Sequence, residues 1–183
     1  MLNEASRKLL KQLALSSIKH GVDTGRPLAI DPDDYAPELR AHKATFVTLH
    51  RHHQLRGCIG MLQPIRPLVE DMTQNAWSAA FRDPRFPALR ADEVDDLDLH
   101  ISILNEPEAM AFTSEENLIE QIRPGIDGLI LEDAHNRGTF LPSVWESLPD
   151  AADFFRHLKV KAGLPQHYWS DTLSVQRYTV EEF

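Results

Sequence analysis

A single cysteine, Cys58, stands among 183 residues, so no internal disulfide can form and no all-cysteine zinc or iron–sulfur site can be built from this chain alone. No apolar run approaches the length of a membrane span, and the start, Met1-Leu2-Asn3-Glu4-Ala5-Ser6-Arg7-Lys8, lacks the apolar core of a signal peptide. These absences lead to the expectation of a reducing, cytoplasmic setting and no membrane partner. Positive charge is also short. Lys and Arg number 19 against 28 Asp and Glu, and the formal net charge of -9 opposes nonspecific nucleic-acid binding. Low-complexity tracts are missing as well. What is present is ordinary for a globular chain: 42% hydrophobic and 26% charged residues, enough for one domain, 1–183, with a sizeable core.

Apolar residues Leu9, Leu10, Leu13, Ala14 and Ile18 recur at helical spacing and predict an amphipathic helix from Asn3 to His20, with Gly21 as its stop. Prolines and aspartates between Val22 and Lys43 predict an extended connection. Thr45 to His50 and Leu55 to Gly60 read as the two strands of a hairpin turned by Arg51 to Gln54. Pro64 and Pro67 introduce a helix with Leu68, Val69, Met72, Ala76, Ala79 and Ala80 on its inner face, and the prolines between Arg82 and Pro87 end it. The acidic run Asp92, Glu93, Asp95, Asp96 and Asp98 reads as a solvated edge. Leu97, Leu99, Ile101 and Ile103 then alternate with Asp98, His100 and Ser102, the period of a strand with one buried face. Further on, Ser114 caps a short helix, strands at 128–131 and 138–141 flank a polar turn, Pro142 opens another helix, Asp150 caps one ending near Gly163, and 173–180 supplies the last strand. This order suggests two repeats, 44–104 and 127–180, with Arg56-Gly57 and Arg137-Gly138 each opening the second hairpin strand.

The chemistry concentrates in Leu55-Arg56-Gly57-Cys58-Ile59-Gly60. Strand alternation places Arg56 and Cys58 on one face and Leu55 and Ile59 on the other, with Gly57 opening the backbone between them. Two readings stay open. Either the small residues simply pack, free cysteine being among the most buried residue types, or Cys58 is a nucleophile whose thiolate Arg56 favours. Arg85 could grip a carboxylate or phosphate through its planar fork, and Asp83 could either pair with an arginine or do acid–base work. His50, His52 and His53 crowd the hairpin turn, yet no acidic or cysteine ligand stands at a recognisable spacing beside them, so no metal is expected. His100 and Ser102 share the polar strand face, a spacing poorly suited to a catalytic pair. No cofactor-binding loop is visible.

The hexapeptide resembles the signature of the AMMECR family, and other blocks match that family in order. They are Asn75-Ala76, Ala79-Ala80-Phe81-Arg82-Asp83-Pro84-Arg85-Phe86, Ile101-Ser102-Ile103-Leu104, Gly125-Ile126-Asp127-Gly128-Leu129, Phe140-Leu141-Pro142 and Lys161-Ala162-Gly163-Leu164. The resemblance spans nearly the whole chain. It implies an α+β fold in which two related β-and-helix units share a sheet and form a larger and a smaller lobe with a cleft; the residues considered above, Arg56, Gly57, Cys58, Asp83 and Arg85, are the candidates to line it. It implies no assigned activity. The chain is similar to protein A of the AmmeMemoRadiSam system, which implies a Memo-type protein and a radical S-adenosylmethionine (SAM) protein as partners. Lys159 stands where relatives often carry a cysteine, so a two-thiol mechanism cannot be general. Two functional classes follow: a small-molecule-binding or enzymatic cleft around Cys58, and a noncatalytic adaptor docking one of those partners.

The scattered ligands generate a first prediction. Protein purified without a histidine tag is expected to carry no stoichiometric zinc or iron in elemental analysis, and either metal would make His50 and His52 the first candidates.

Overall fold

Helical spacing at the N-terminus becomes α1 (Glu4–Thr24), started by Asn3, whose side chain accepts a hydrogen bond from the Ser6 N–H at 2.8 Å. The computed structural model describes residues 1–183. Gly21 does not stop α1. A methyl group there would run into the Phe81 ring and lie 2.6 Å from Trp77, so this glycine admits a neighbouring helix. The chain leaves the helix at Gly25 instead, with φ +72° in the left-handed region that favours glycine. The connection expected to be extended holds a 3-10 turn at Pro32–Asp34 and the short helix α2 (Pro37–Arg40).

The first hairpin is β1 (Thr45–Arg51) and β2 (Gln54–Gly60), followed by α3 (Leu68–Phe81), a 3-10 segment at Ala91–Asp96 and β3 (Leu97–Leu104). Two-residue β4 (Glu108–Ala109) was not legible in the pattern. Then come α4 (Glu115–Gln121), a second hairpin of β5 (Gly128–Asp133) and β6 (Asn136–Phe140), a 3-10 turn at Pro142–Glu146, and α5 (Ala151–Lys161). The last expected strand is split at Thr179 into β7 (Ser174–Tyr178) and β8 (Val180–Glu182).

The α+β class holds, but the strands form two four-stranded sheets rather than a shared one, in the orders β2-β1-β3-β8 and β4-β7-β5-β6. The chain divides into two compact units, residues 1–104 with 181–183, and residues 105–180. Each has its own core, which is why each keeps its own sheet. In the first, Val47, Leu49 and Ile101 of the sheet meet Leu10, Ala14 and Met72 of the helices; in the second, Leu129 and Leu131 meet Phe154, Phe155 and Leu158. The Trp145 ring stacks on Phe154 with centroids 3.8 Å apart.

Both sheets place the first hairpin strand between its partner and the strand after the helix, β2-β1-β3 and β6-β5-β7. Gly57 and Gly138 also match in role. A methyl at Gly57 would strike the carbonyl of Ala79 near the end of α3, and one at Gly138 would lie 2.9 Å from Ala162 at the end of α5. These features support, as a proposal, two related repeats over 44–104 and 127–180.

The Gly57 contact generates the second prediction. Backbone in a helix cannot yield as a flexible side chain does, so Gly57→Ala should cost about 3 kcal/mol, at the upper end for overpacking. Thermal unfolding should show a melting temperature roughly 6–12 °C lower; an unchanged value would contradict the close approach of α3.

Candidate functional site

The register of the first hairpin decides where the hexapeptide side chains go. Thr48 pairs with Cys58, Val47 with Ile59 and Leu49 with Gly57, but His50 then pairs with Leu55, so Arg56 is skipped at a bulge. Gly57 and Ile59 share the face of the buried Val47 and Leu49, while Cys58 lies on the opposite face beside Thr48. The Thr48 hydroxyl donates to the Cys58 sulfur at 3.3 Å.

Because β2 is the outer strand of its sheet, the backbone of Cys58 faces away from β1 and needs partners from elsewhere. Asp83 and Arg85 supply them. The Cys58 N–H donates to Asp83 Oδ2 at 2.9 Å, and the Cys58 carbonyl accepts from Arg85 Nη2 at 3.3 Å. Arg85 also holds Asp83 bidentately, Nε to Oδ1 at 3.0 Å and Nη2 to Oδ2 at 2.7 Å, and its backbone N–H adds a bond at 3.1 Å. The Arg85 guanidinium, then the Cys58 and Arg85 N–H groups, hold the Asp83 carboxyl well below the usual carboxylate range against the opposing effect of burial. A carboxylate with both oxygens occupied and a side chain 2% exposed does no acid–base work. Asp83 is a clamp, as the pairing alternative allowed.

Arg85 is raised by the same pair, and its guanidinium also interacts with Cys58. It is half-exposed and lies over the Phe86 ring at 5.5 Å. Its fork is occupied by Asp83, so the expected bidentate grip on a ligand is not available while that pair holds.

Arg56 corrects the strand-alternation reading. The bulge turns it toward Glu93, with Nε to Oε1 and Nη2 to Oε2 both at 2.9 Å, and Nη1 reaches the Pro87 carbonyl at 3.0 Å. Its partner is a carboxylate of the supposedly solvated acidic run, whose side chain is 9% exposed. Arg56, with help from the Arg90 N–H and Arg51, pushes Glu93 down to about 2. Glu93 is the residue that sequence reasoning missed; its one signal was Val94 beside it in an otherwise polar stretch.

The other candidates separate. His52 and His53 occupy the turn with φ of 51° and 62°, the left-handed pair that a tight hairpin requires. No group of three or more His, Cys, Asp or Glu side chains is placed to hold a metal ion. His100 bonds Asp98 at 3.0 Å and meets His50 edge-on at 5.5 Å, while Ser102 donates to Glu182 at 3.1 Å, so the serine and histidine have different partners. In the second unit Lys159 is buried and donates to Glu115 at 2.7 Å.

The sequence profile of the AMMECR1 family matches residues 11–183. A protein of Methanothermobacter thermautotrophicus is 35% identical over 188 residues, covering 100% of this chain and 95% of the relative. One from Thermotoga maritima is 36% identical, covering 93% of this chain and 94% of its own. Among solved structures, the crystal structure of uncharacterised protein PH0010 from Pyrococcus horikoshii superposes with a TM-score of 0.85 at 37% identity, covering 95% of this chain and 88% of that one.

The Arg56–Glu93 pair generates the third prediction. Unfolded, Glu93 protonates near its ordinary 4.5; folded, it stays charged until about 2. Its contribution is therefore present above about pH 4.5 and lost as pH falls toward 2. Arg56→Ala should destabilise by about 3 kcal/mol at neutral pH, since it strands a buried carboxylate. Glu93→Gln should flatten the decline in melting temperature over that acid window; an undiminished slope would assign the acid sensitivity elsewhere.

Proposed function

The chain belongs to the AMMECR1 family, and from that premise we propose that it acts through the thiol of Cys58, as a small-molecule-binding or enzymatic site on the first unit. One observation carries the reading: Arg56, both glycines and the Cys58 backbone have structural duties. Arg56 is tied to Glu93, Gly57 admits α3, Gly60 packs on the Phe46 ring, and the backbone of Cys58 is held by Asp83 and Arg85. The thiol is half-buried on a strand fixed at both backbone polar groups, with the Thr48 hydroxyl and the Arg85 guanidinium beside it. Both neighbours complement negative charge on sulfur or on a bound ligand, the setting in which a cysteine is a nucleophile.

A second reading is favoured by a different observation. Leu55 within the hexapeptide is 39% exposed and Ile65 just after it is 58% exposed. Apolar side chains left in solvent beside the motif suit an adaptor that docks a protein, and the similarity to protein A of the AmmeMemoRadiSam system names the candidates, a Memo-type protein or a radical SAM protein.

Alkylation separates the two. Iodoacetamide at pH 7 should modify Cys58 in the native protein faster than a cysteine in an unstructured peptide, and Arg85→Lys should slow it several-fold. Modification that waits for unfolding would remove the thiol site. If Leu55→Asp with Ile65→Asp abolishes co-purification with a Memo-type protein while labelling stays slow in both forms, the adaptor takes the assignment.

A further inference from the structure

The second unit holds a pocket of about 280 Å³ that none of the hexapeptide lines. It is built where the chain leaves β3 and enters β4, with Asn105, Glu106 and Glu108 on one side, Arg123 after α4, and Arg177 and Thr179 around the end of β7. That volume falls at the small end of ligand sites, so an occupant would be of amino-acid rather than nucleotide size.

Its charges differ in how firmly they are held. Arg123 is immobilised. Its Nε bonds Asp127 Oδ1 at 3.0 Å and Nη2 the same oxygen at 2.6 Å, its backbone N–H bonds Oδ2 at 2.9 Å, and Asp127 is fully buried. Arg177 is held loosely, with Nε and Nη2 both 3.4 Å from one oxygen of Glu108, across from it in the β4–β7 ladder. Distances that long make a weak bond, and Glu108 is 71% exposed. Glu108 and Arg123 line the same pocket. Glu106 adds a second carboxylate. Asn105 and Thr179 bond to each other at 2.7 Å and supply neutral polar groups.

Two cations and two anions line the pocket, and this balance decides the ligand. A simple anion would face both glutamates, and a simple cation both arginines. We propose that the pocket binds a small zwitterion of the α-amino-acid type. The ligand carboxylate displaces Glu108 from Arg177 and lies between Arg177 and Arg123, and the ligand ammonium takes the released Glu108 together with Glu106. The weak Glu108–Arg177 bond makes that exchange inexpensive, and the Asp127 anchor keeps one guanidinium in place throughout.

The test is an NMR titration of the full chain with L-alanine, and with acetate, methylamine and inorganic phosphate as single-sign probes. L-alanine should saturate in the millimolar range with shifts at residues 105–108 and 177–179, and each single-sign probe should bind at least tenfold more weakly. Arg177→Ala and Glu106→Gln should each weaken L-alanine at least tenfold without lowering the melting temperature. Arg123 is left intact because its removal would strand buried Asp127. Failure to saturate at tens of millimolar, phosphate or acetate binding as tightly as L-alanine, or undiminished binding in both variants would overturn the proposal. None of these outcomes bears on the Cys58 thiol.

Discussion

The absence of a side chain at Gly57 is the constraint on which the first unit depends. It lets the backbone of α3 near Ala79 lie directly on β2. Since α3 ends at Phe81, the chain leaves the helix beside the hairpin, and Asp83, two residues on, reaches the Cys58 N–H. Pro84 turns the chain so that Arg85 covers both the Asp83 carboxylate and the Cys58 carbonyl. A methyl group at position 57 would run into the Ala79 carbonyl and strain the two bonds that tie this loop to Cys58.

Four of the five buried carboxylates in this acidic chain are each met by an arginine, while Asp133 accepts from the Tyr168 and Thr172 hydroxyls. Asp83 has Arg85, Glu93 has Arg56, Asp71 has Arg66 and Asp127 has Arg123. Asp71 is the most heavily engaged. It accepts from the Thr45 N–H and hydroxyl and from Asn75, joining β1 to α3 beneath the hairpin. Leaving any of these carboxylates unpaired would be costly, whereas the pairs add little beyond cancelling the desolvation of the acid. Their value is positional. Of the arginines between residues 56 and 90, Arg56, Arg66 and Arg85 are tied to buried carboxylates, Arg90 pairs with exposed Asp92, and Arg82 lies over the Trp77 ring.

The Asp83–Arg85 pair also protects the sheet. An outer strand normally offers its N–H and C=O groups to any passing strand, and at Cys58 both are taken. This closes the edge at Cys58 while leaving the thiol on the face of the sheet.

By itself the sequence determined the elements whose signal is local. A polar turn between two short runs located β1 and β2, period-two alternation located β3, three- and four-residue spacing located α1 and α3, and Ser114 and Asp150 marked helix starts that the Asn117 and Asp153 N–H groups use. The hexapeptide was visible as a concentration of unusual residues, and its resemblance named the family. Tertiary structure alone decided partners. A one-residue bulge, invisible in the pattern, sent Arg56 to Glu93 and left Arg85 as the cation beside Cys58. Packing against Trp77 and Phe81 carried α1 through Gly21, a residue that looked like a stop. The last strand was divided at Thr179 so that β7 and β8 enter different sheets, and β4 found its place only beside β7. The physical reason is common to all of them: periodicity reports which face of an element is buried, whereas register, close backbone approach and the choice of ion-pair partner depend on residues distant in the chain.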